Sequence, residues 1–113
     1  MRDEIDLVHD SAEARERLTA AFAASAQRVR AFPSAEALLL RLAADAVRCV
    51  VVTAELGGIG ARGLIEAVRE RRLRACVVVL ARSGDVASAV QWLRAGATDV
   101  VDASAPPHRL RAA

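Results

Sequence analysis

The sequence predicts an α/β fold, in which helices cover both faces of a doubly wound, five-stranded parallel sheet. Three observations carry this prediction. Five short apolar runs recur along the 113 residues, they lack the apolar–polar alternation of half-exposed strands, and the segments between them have apolar residues at helical spacing. Strands and helices that alternate in this way form parallel sheets with right-handed crossovers. No repeat, linker or low-complexity segment interrupts the pattern, so residues 1–113 are predicted to form a single domain.

The predicted strands are the apolar runs themselves. They cover Ile5–Val8, Val29–Phe32, Cys49–Val52, Cys76–Leu80 and Ala97–Val101. Cys49 and Cys76 each open a run, so they would be neighbours if their strands pair. Both are interpreted as buried structural thiols, and a redox switch is the alternative.

The first two predicted helices each begin at a serine. Ser11 can cap a helix whose apolar residues share one face. These residues are Ala14, Leu18, Ala21 and Phe22. Ser34 can cap the second helix, where Glu36 in the first turn suits the positive end of the helix dipole.

The third and fourth helices follow from the same spacing. The third is predicted over about residues 62–72, with Leu64 and Val68 facing the core. The fourth begins near Asp85 and ends at Gly96. Its predicted buried stripe consists of Val86, Ala89, Val90 and Leu93.

Three further segments have ordinary structural interpretations. Pro106 and Pro107 suit the first turn of a fifth helix that the chain barely begins, so the domain is predicted to end with this helix truncated. The basic segment Arg69–Arg74 lies at the end of the third helix, where positive charge complements the helix dipole. Gly57–Gly60 is a turn and not a phosphate loop, because it lacks the Lys and Ser/Thr of that motif.

Composition narrows the classes of function. Hydrophobic residues make up 54% of the chain but aromatic residues only 3%, so the core must be built from Ala, Val and Leu. The formal charge is +2, from 16 basic and 14 acidic residues, which is too balanced to indicate nucleic acid or a membrane as the partner. The chain contains no lysine, which excludes any mechanism that needs one. No apolar run approaches the ~18 residues of a membrane span and no signal peptide is visible, which predicts a soluble, cytoplasmic protein.

Three segments of the chain are typical of one protein family: VHDSAEARERL, FPSAEALLLRL and SGDVASAVQWLRAGATDVVD. With these segments, the chain resembles the receiver domain of bacterial two-component response regulators, the CheY-like fold. The resemblance is strongest to the receiver domains at the N-terminal end of nitrogen-fixation and LuxR-type transcription regulators. In these domains the segment after the fourth strand typically has the sequence GHGDVPMAVRAMKAGAVDF. The matching positions are Gly84, Asp85, Val86, Ala89, Val90, Ala95, Gly96, Ala97 and Asp99. The resemblance runs from Ile5 to about Leu110 and implies the flavodoxin-like strand order 2-1-3-4-5.

The resemblance implies that Thr53 takes the place of a phosphorylated aspartate. In the family, an aspartate at the end of the third strand accepts a phosphoryl group from a histidine kinase. That chemistry needs a carboxylate, which attacks phosphorus and gives a labile acyl phosphate. A threonine hydroxyl would need a base and would give a stable ester, so Thr53 cannot serve as the same reversible switch.

The other positions of the family's phosphorylation site depart from the pattern in the same direction. Asp10 keeps one acid of the pair that holds Mg²⁺ in the family, but His9 replaces the other. Ala81 stands where the switch hydroxyl is expected, and Ala103 where the lysine that pairs with the phosphoryl group is expected. Val100 replaces the aromatic rotamer switch of the fifth strand. The resemblance therefore implies a degenerate receiver that is not an enzyme, holds no metal or cofactor and does not depend on phosphorylation.

Other chemistries remain open for this set of residues. Asp10 beside His9 is a poor Mg²⁺ site, and a role for Asp10 in capping the first helix or a loop amide is simpler. His9, Asp10 and Thr53 do not suit a hydrolytic triad, because adjacent residues point to opposite sides of an extended backbone. A small molecule bound at Asp10, Thr53 and Ala81 is one alternative, since crevices at this edge of a sheet suit ligands. A still-active phosphoacceptor is another.

Trp92 is the main candidate for contact with another protein. It flanks the predicted stripe of the fourth helix, and tryptophan is enriched at binding hot spots. The resemblance implies pairing or docking through the fourth helix, fifth strand and fifth helix, which adds Val100 to the predicted interface. The implied partners are a second copy of the chain in a homodimer, its own output domain or another regulatory protein.

Overall fold

Strands and helices alternate along the chain as the periodicity predicts. The structure is a computed structural model that describes residues 4–24, 27–42, 47–81 and 86–102. The strands are β1 (Glu4–Val8), β2 (Arg28–Phe32), β3 (Val47–Thr53), β4 (Arg74–Ala81) and β5 (Asp99–Asp102). The helices are α1 (Ala12–Ala24), α2 (Ala35–Leu39), α3 (Gly60–Glu70) and α4 (Val86–Ala95).

The five strands form one parallel sheet in the order β2-β1-β3-β4-β5. This confirms the predicted fold class and strand order. Because all strands run in the same direction, their carboxyl ends lie at one edge of the sheet. The strand order reverses between β1 and β3, and in open α/β sheets this switch point at the carboxyl edge is where ligands and chemistry are usually found.

The core consists of two apolar layers, one on each face of the sheet. The larger layer includes the buried residues of α2 and α3, and the smaller one includes Phe22 of α1. Val50, Val51 and Val52 in the centre of β3 are all 0% exposed, although they point alternately to the two faces. The unalternating apolar runs in the sequence therefore correspond to strands that are covered on both sides.

Cys49 and Cys76 are register partners on β3 and β4, as predicted from their positions at the start of the two runs. Both are free thiols, and both are half-buried where full burial was expected. Burial, with a smaller effect of the neighbouring Cys76, raises the pKa of the Cys49 thiol. Since the thiolate is the reactive form, a raised pKa favours the structural interpretation over the redox switch.

The predicted helix caps are present. The Ser11 hydroxyl accepts a hydrogen bond from the Ala14 amide at 3.2 Å, and the Ser34 hydroxyl accepts one from the Ala37 amide at 3.0 Å. Gly96 ends α4 with a φ of 119°, a conformation that favours glycine. Each cap satisfies backbone groups that the helix leaves without partners, so the ends of these helices are encoded locally.

The predicted buried stripe of α4 is wrong for two of its residues. Val90 and Leu93 are 41% and 48% exposed. Ala89 is half-buried where full burial was expected, and Trp92 packs against the larger core layer. The side chain of Val86 lies outside the described part of the chain. The apolar residues of this helix fit more than one stripe at helical spacing. Only the rotation of the helix against the sheet decides which stripe is covered.

Several boundaries also differ from the prediction. The strands β3 and β4 each begin two residues earlier than expected, at Val47 and Arg74. The helix predicted over 62–72 runs over Gly60–Glu70, and the last strand begins at Asp99, two residues later than expected. Ala97 is nevertheless buried, since it belongs to the turn in which Thr98 donates its amide to the Val77 carbonyl at 2.8 Å. The start of the fifth helix at Pro106 and Pro107 lies outside the described residues. Within the part that the structure describes, no helix is long and apolar enough to cross a bilayer.

Candidate functional site

The predicted site residues meet at the carboxyl edge of the sheet. Thr53 is the last residue of β3 and the register partner of Leu80, which precedes Ala81. His9 and Asp10 follow β1, whose last residue is paired with Val52. The pairing of three central strands therefore brings His9, Asp10, Thr53 and Ala81 to one place. Ala103 lies outside the described residues.

Thr53 is a buried hydroxyl that takes part in a turn. The residue is only 9% exposed, and its Oγ1 accepts a hydrogen bond from the Glu55 amide at 3.4 Å. The Thr53 carbonyl accepts the amide of Leu56 at 3.3 Å. A threonine at this position therefore shapes the start of the loop after β3.

His9 is held as a neutral imidazole. Its Nδ1 accepts a hydrogen bond from the Ser11 amide at 3.1 Å, which places the ring proton on Nε2. Burial is the largest cause that lowers the pKa of His9, and Arg17 and Arg15 lower it further against the opposing effect of Asp10. His9 is consequently uncharged near neutral pH, and its Nδ1 lone pair is used in the hydrogen bond from the Ser11 amide, just before α1.

Asp10 fastens the loop after β3. Its Oδ2 accepts a hydrogen bond from the Gly57 amide at 3.1 Å, and its Oδ1 lies 3.6 Å from His9 Nδ1. This is the loop-amide role considered for Asp10 in the sequence. Because His9 Nδ1 accepts from the Ser11 amide, Asp10 does not hold the imidazole in the orientation that a hydrolytic triad requires.

Glu36 is a second carboxylate that contacts the same loop, and sequence reasoning assigned it only to the dipole of α2. Its Oε2 accepts a hydrogen bond from the Ile59 amide at 3.4 Å. A Cβ atom at Gly58, which has a φ of 65°, would lie 2.8 Å from the same oxygen. The acid in the first turn of a capped helix was visible in the sequence, but its contact with a loop 23 residues away was not.

Ala81 completes the edge with a methyl group. It is 7% exposed and has no side-chain atom that can donate or accept a hydrogen bond. Val100 and Trp92 are half-buried and pack against the larger core layer. Neither of these two residues contributes a polar group to the site.

The donor set does not fit Mg²⁺. This ion prefers several oxygen ligands, and carboxylates supply most of them in proteins. Asp10 already binds the Gly57 amide, and its neighbour is an imidazole. Within the described residues, no group of three or more His, Cys, Asp or Glu side chains is arranged to hold a metal ion.

The fold is that of response-regulator receiver domains in solved structures. The BeF3-activated receiver domain of DrrB superposes with a TM-score of 0.79 at 24% identity, over 99% of this chain and 93% of that one. Full-length FixJ from B. japonicum superposes with a TM-score of 0.83 at 24% identity, over 97% of this chain and 54% of FixJ. A response regulator receiver protein from Pseudoalteromonas atlantica gives 0.76 at 26% identity, over 95% and 89% of the two chains. No protein-family profile and no curated protein sequence matches the chain.

These superpositions differ in how much of each structure they cover. The chain spans nearly all of the isolated DrrB receiver domain but about half of FixJ and about half of the complete DrrB from Thermotoga maritima. The similarity thus concerns the receiver part of the longer proteins.

Proposed function

We propose that this chain is a receiver-type regulatory domain that acts through contacts with other proteins and without phosphorylation. The observation that carries the proposal is Thr53, a buried neutral hydroxyl at the carboxyl end of the central strand β3. In the receiver family, this is the place of the aspartate that accepts the phosphoryl group. A hydroxyl there cannot form the acyl phosphate on which that switch depends.

The surroundings of Thr53 support the same proposal. The acid that remains, Asp10, is occupied with the Gly57 amide, and Ala81 offers no hydroxyl to a phosphoryl oxygen. Phosphoryl transfer depends on positioned cations and donors that stabilise the charge on phosphoryl oxygens. A site with one committed acid and a methyl group supplies little of this stabilisation.

The direct test is incubation with acetyl phosphate and Mg²⁺, followed by intact-mass spectrometry. We expect an unchanged mass and an unchanged oligomeric state, while a phosphorylatable receiver domain treated in parallel gains one phosphate. A stoichiometric phosphate adduct on this chain, acid-labile or acid-stable, would contradict the proposal and would favour the still-active phosphoacceptor.

A small molecule bound around Asp10, Thr53 and Ala81 stays a prediction, and a ligand screen by thermal shift tests it.

We further propose that the exposed face of α4 is the contact surface, with a second copy of the chain as partner. Val90 and Leu93 expose apolar side chains there, next to the half-buried Trp92. Tryptophan and neighbouring apolar side chains are typical of binding hot spots. The longer solved proteins with the same fold, such as FixJ, also make an output domain of this chain's own protein a candidate partner.

Sedimentation analysis of variants tests the α4 surface. Trp92→Ala should weaken self-association by about 2 kcal/mol if it is a hot spot. Leu93→Ser alters only the exposed part of the surface and should also weaken association, while Leu40→Ser, a matched control at an 87% exposed leucine after α2, should not. A wild-type monomer at all concentrations, or equal association constants for the three variants, would refute this contact.

A further inference from the structure

A second polar cluster lies on the strands β1, β2 and β3, away from the carboxyl edge. Glu4 is the register partner of Arg28, and Asp6 is the register partner of Arg30. Arg48 on β3 reaches both acids, with 2.6 Å from Nη1 to Glu4 Oε1 and 2.6 Å from Nη2 to Asp6 Oδ1. The cluster therefore joins three adjacent strands toward their amino ends.

Asp6 is the centre of this cluster and is 0% exposed. Arg30 donates to it from Nε at 2.9 Å and from Nη2 at 3.1 Å. Arg48 donates to it from Nε at 2.9 Å as well as from Nη2. With its Nη1 bound to Glu4, Arg48 has all three guanidinium nitrogens engaged, so its charge is used within the cluster.

Arg30 is held in position by Asp6, but not all of its N–H donors are used. Its paired hydrogen bonds with Asp6 set the plane of the guanidinium, and its Cζ lies 5.6 Å from the centre of the Phe32 ring. Among the described residues, no hydrogen bond engages its Nη1, and the side chain is 46% exposed. A donor that is held rigid and faces solvent loses little entropy when it binds a ligand.

Arg28 is the least committed arginine of the cluster. Its side chain is 61% exposed, and its ion pair with Glu4 is long, with 3.9 Å from Nη1 to Oε2. It lines a cavity of about 220 Å³ together with Glu4, Val29, Arg30 and Arg48. In the cluster that borders this cavity, three guanidinium groups against the carboxylates of Glu4 and the buried Asp6 leave a net charge of +1.

We propose that this cavity binds the phosphate group of a small molecule. The fork of Arg28 and the Nη1 of Arg30, two residues apart on β2, supply donors from one strand to one tetrahedral oxyanion. Arginine forks match phosphate oxygens in geometry, and charge-assisted hydrogen bonds of this type are the strong ones. A phosphate carries more negative charge than a carboxylate near neutral pH, so two guanidinium groups can share it. Inorganic phosphate and a phosphate monoester offer the same group, and the experiment separates them.

The test is an NMR titration of the ¹⁵N-labelled chain at constant ionic strength, with inorganic phosphate in one arm and glycerol phosphate in the other. The Nε–Hε signals of Arg28 and Arg30 should shift and saturate in at least one arm, which identifies the source of the phosphate. Arg28→Gln should weaken this binding about tenfold or more, because the charge and the paired hydrogen bonds of the fork are lost. Arg28→Lys should give an intermediate affinity, since it keeps the charge without the fork.

The control variant is Arg74→Gln, which removes an exposed arginine at the start of β4 that does not line the cavity. It should bind phosphate as the unsubstituted chain does. Arg28→Gln should keep the melting temperature, because the side chain is largely exposed and makes only the long contact with Glu4. Shifts that grow linearly without saturation, equal affinity in Arg28→Gln and the unsubstituted chain, or equal saturation by acetate would overturn the proposal.

Discussion

At the carboxyl edge of the sheet, acidic side chains bind backbone amides, whereas on the strands themselves they bind guanidinium groups. Asp10 and Glu36 hold the amides of Gly57 and Ile59. Asp6 is buried within the sheet and holds Arg30 and Arg48. The first arrangement shapes an exposed loop, and the second neutralises a charge that burial would otherwise make costly.

The difference shows where this molecule keeps its strong electrostatic interactions. In an α/β sheet, the carboxyl edge is the usual place for charged chemistry. Here the ends of the central strands carry a neutral histidine, a threonine and an alanine, and the two acids near them, Asp10 and Glu36, bind loop amides. The concentrated ion pairs lie instead on the faces of β1, β2 and β3, where Asp6 and Arg48 are 0% and 13% exposed.

The largest expected effect is at Asp6. Asp6→Ala removes the shared acceptor of two arginines and leaves Arg48 charged and largely buried, so we expect a loss of about 3 kcal/mol in the free energy of unfolding. Urea denaturation measures this change. The double variant Asp6→Val, Arg48→Leu should recover much of the loss, because apolar residues then replace both partners. An equally unstable double variant would show that packing, and not an unpaired charge, explains the effect.

The two regions should also separate in their response to acid. Burial alone would raise the pKa of Asp6, but the hydrogen bonds from Arg48 and Arg30 outweigh it and hold the pKa below its ordinary value of 3.8. The folded state then binds fewer protons than the unfolded state, so this stability is present above pH 3.8 and is lost as pH falls through the folded pKa.

His9 acts in the same direction at higher pH. Its pKa lies below 6.5 in the folded chain, so a smaller loss of stability begins as pH falls below that value. Thermal unfolding from pH 7.5 to 3 should show both losses. His9→Gln should remove only the upper one, and Asp6→Asn only the lower one. A single curve shared by all three chains would contradict the assignment.

A smaller effect is expected where an acid binds a loop amide. Asp10→Ala should cost about 1 kcal/mol, the usual contribution of one hydrogen bond at an exposed site. Amide hydrogen exchange should increase at Gly57, with little change in β1. Glu36→Ala is the matched variant and should act on Ile59 in the same way. A loss at Asp10 as large as that at Asp6 would erase the distinction between the two regions.

No effect on phosphorylation is expected from Thr53→Asp alone. The variant regains a nucleophile and, with Asp10, a second carboxylate for Mg²⁺, but Ala81 still offers no hydroxyl and Ala103 no cation. Acetyl phosphate labelling should therefore stay slow, because the groups that stabilise the transferring phosphoryl are missing. Labelling should improve when Ala81→Thr and Ala103→Lys are added. Rapid labelling of the single variant, with a change in association state, would show that this edge is less degenerate than proposed.

The residues that sequence analysis located well are those whose neighbours are local. Ser11 and Ser34 each accept a hydrogen bond from the amide three residues further along the chain. Cys49 and Cys76 lie at the start of apolar runs that pair in register. Thr53 could be placed at the carboxyl edge because it directly follows an apolar run. Asp6 was overlooked as one acid in such a run, since its arginine partners are 24 and 42 residues away along the chain.

The sequence by itself determined the alternation of strands and helices, the parallel sheet and the neutral hydroxyl at position 53. These follow from hydrophobic periodicity and from the chemical identity of single residues, which need no knowledge of distant neighbours. Only the tertiary structure decided that Trp92 packs partly against the core while Leu93 is largely exposed, that Asp10 holds a loop amide, and that four charged residues of three strands line one cavity. The reason is that helix rotation and strand pairing are set by packing between distant segments, and a spacing pattern in one segment fits more than one such arrangement.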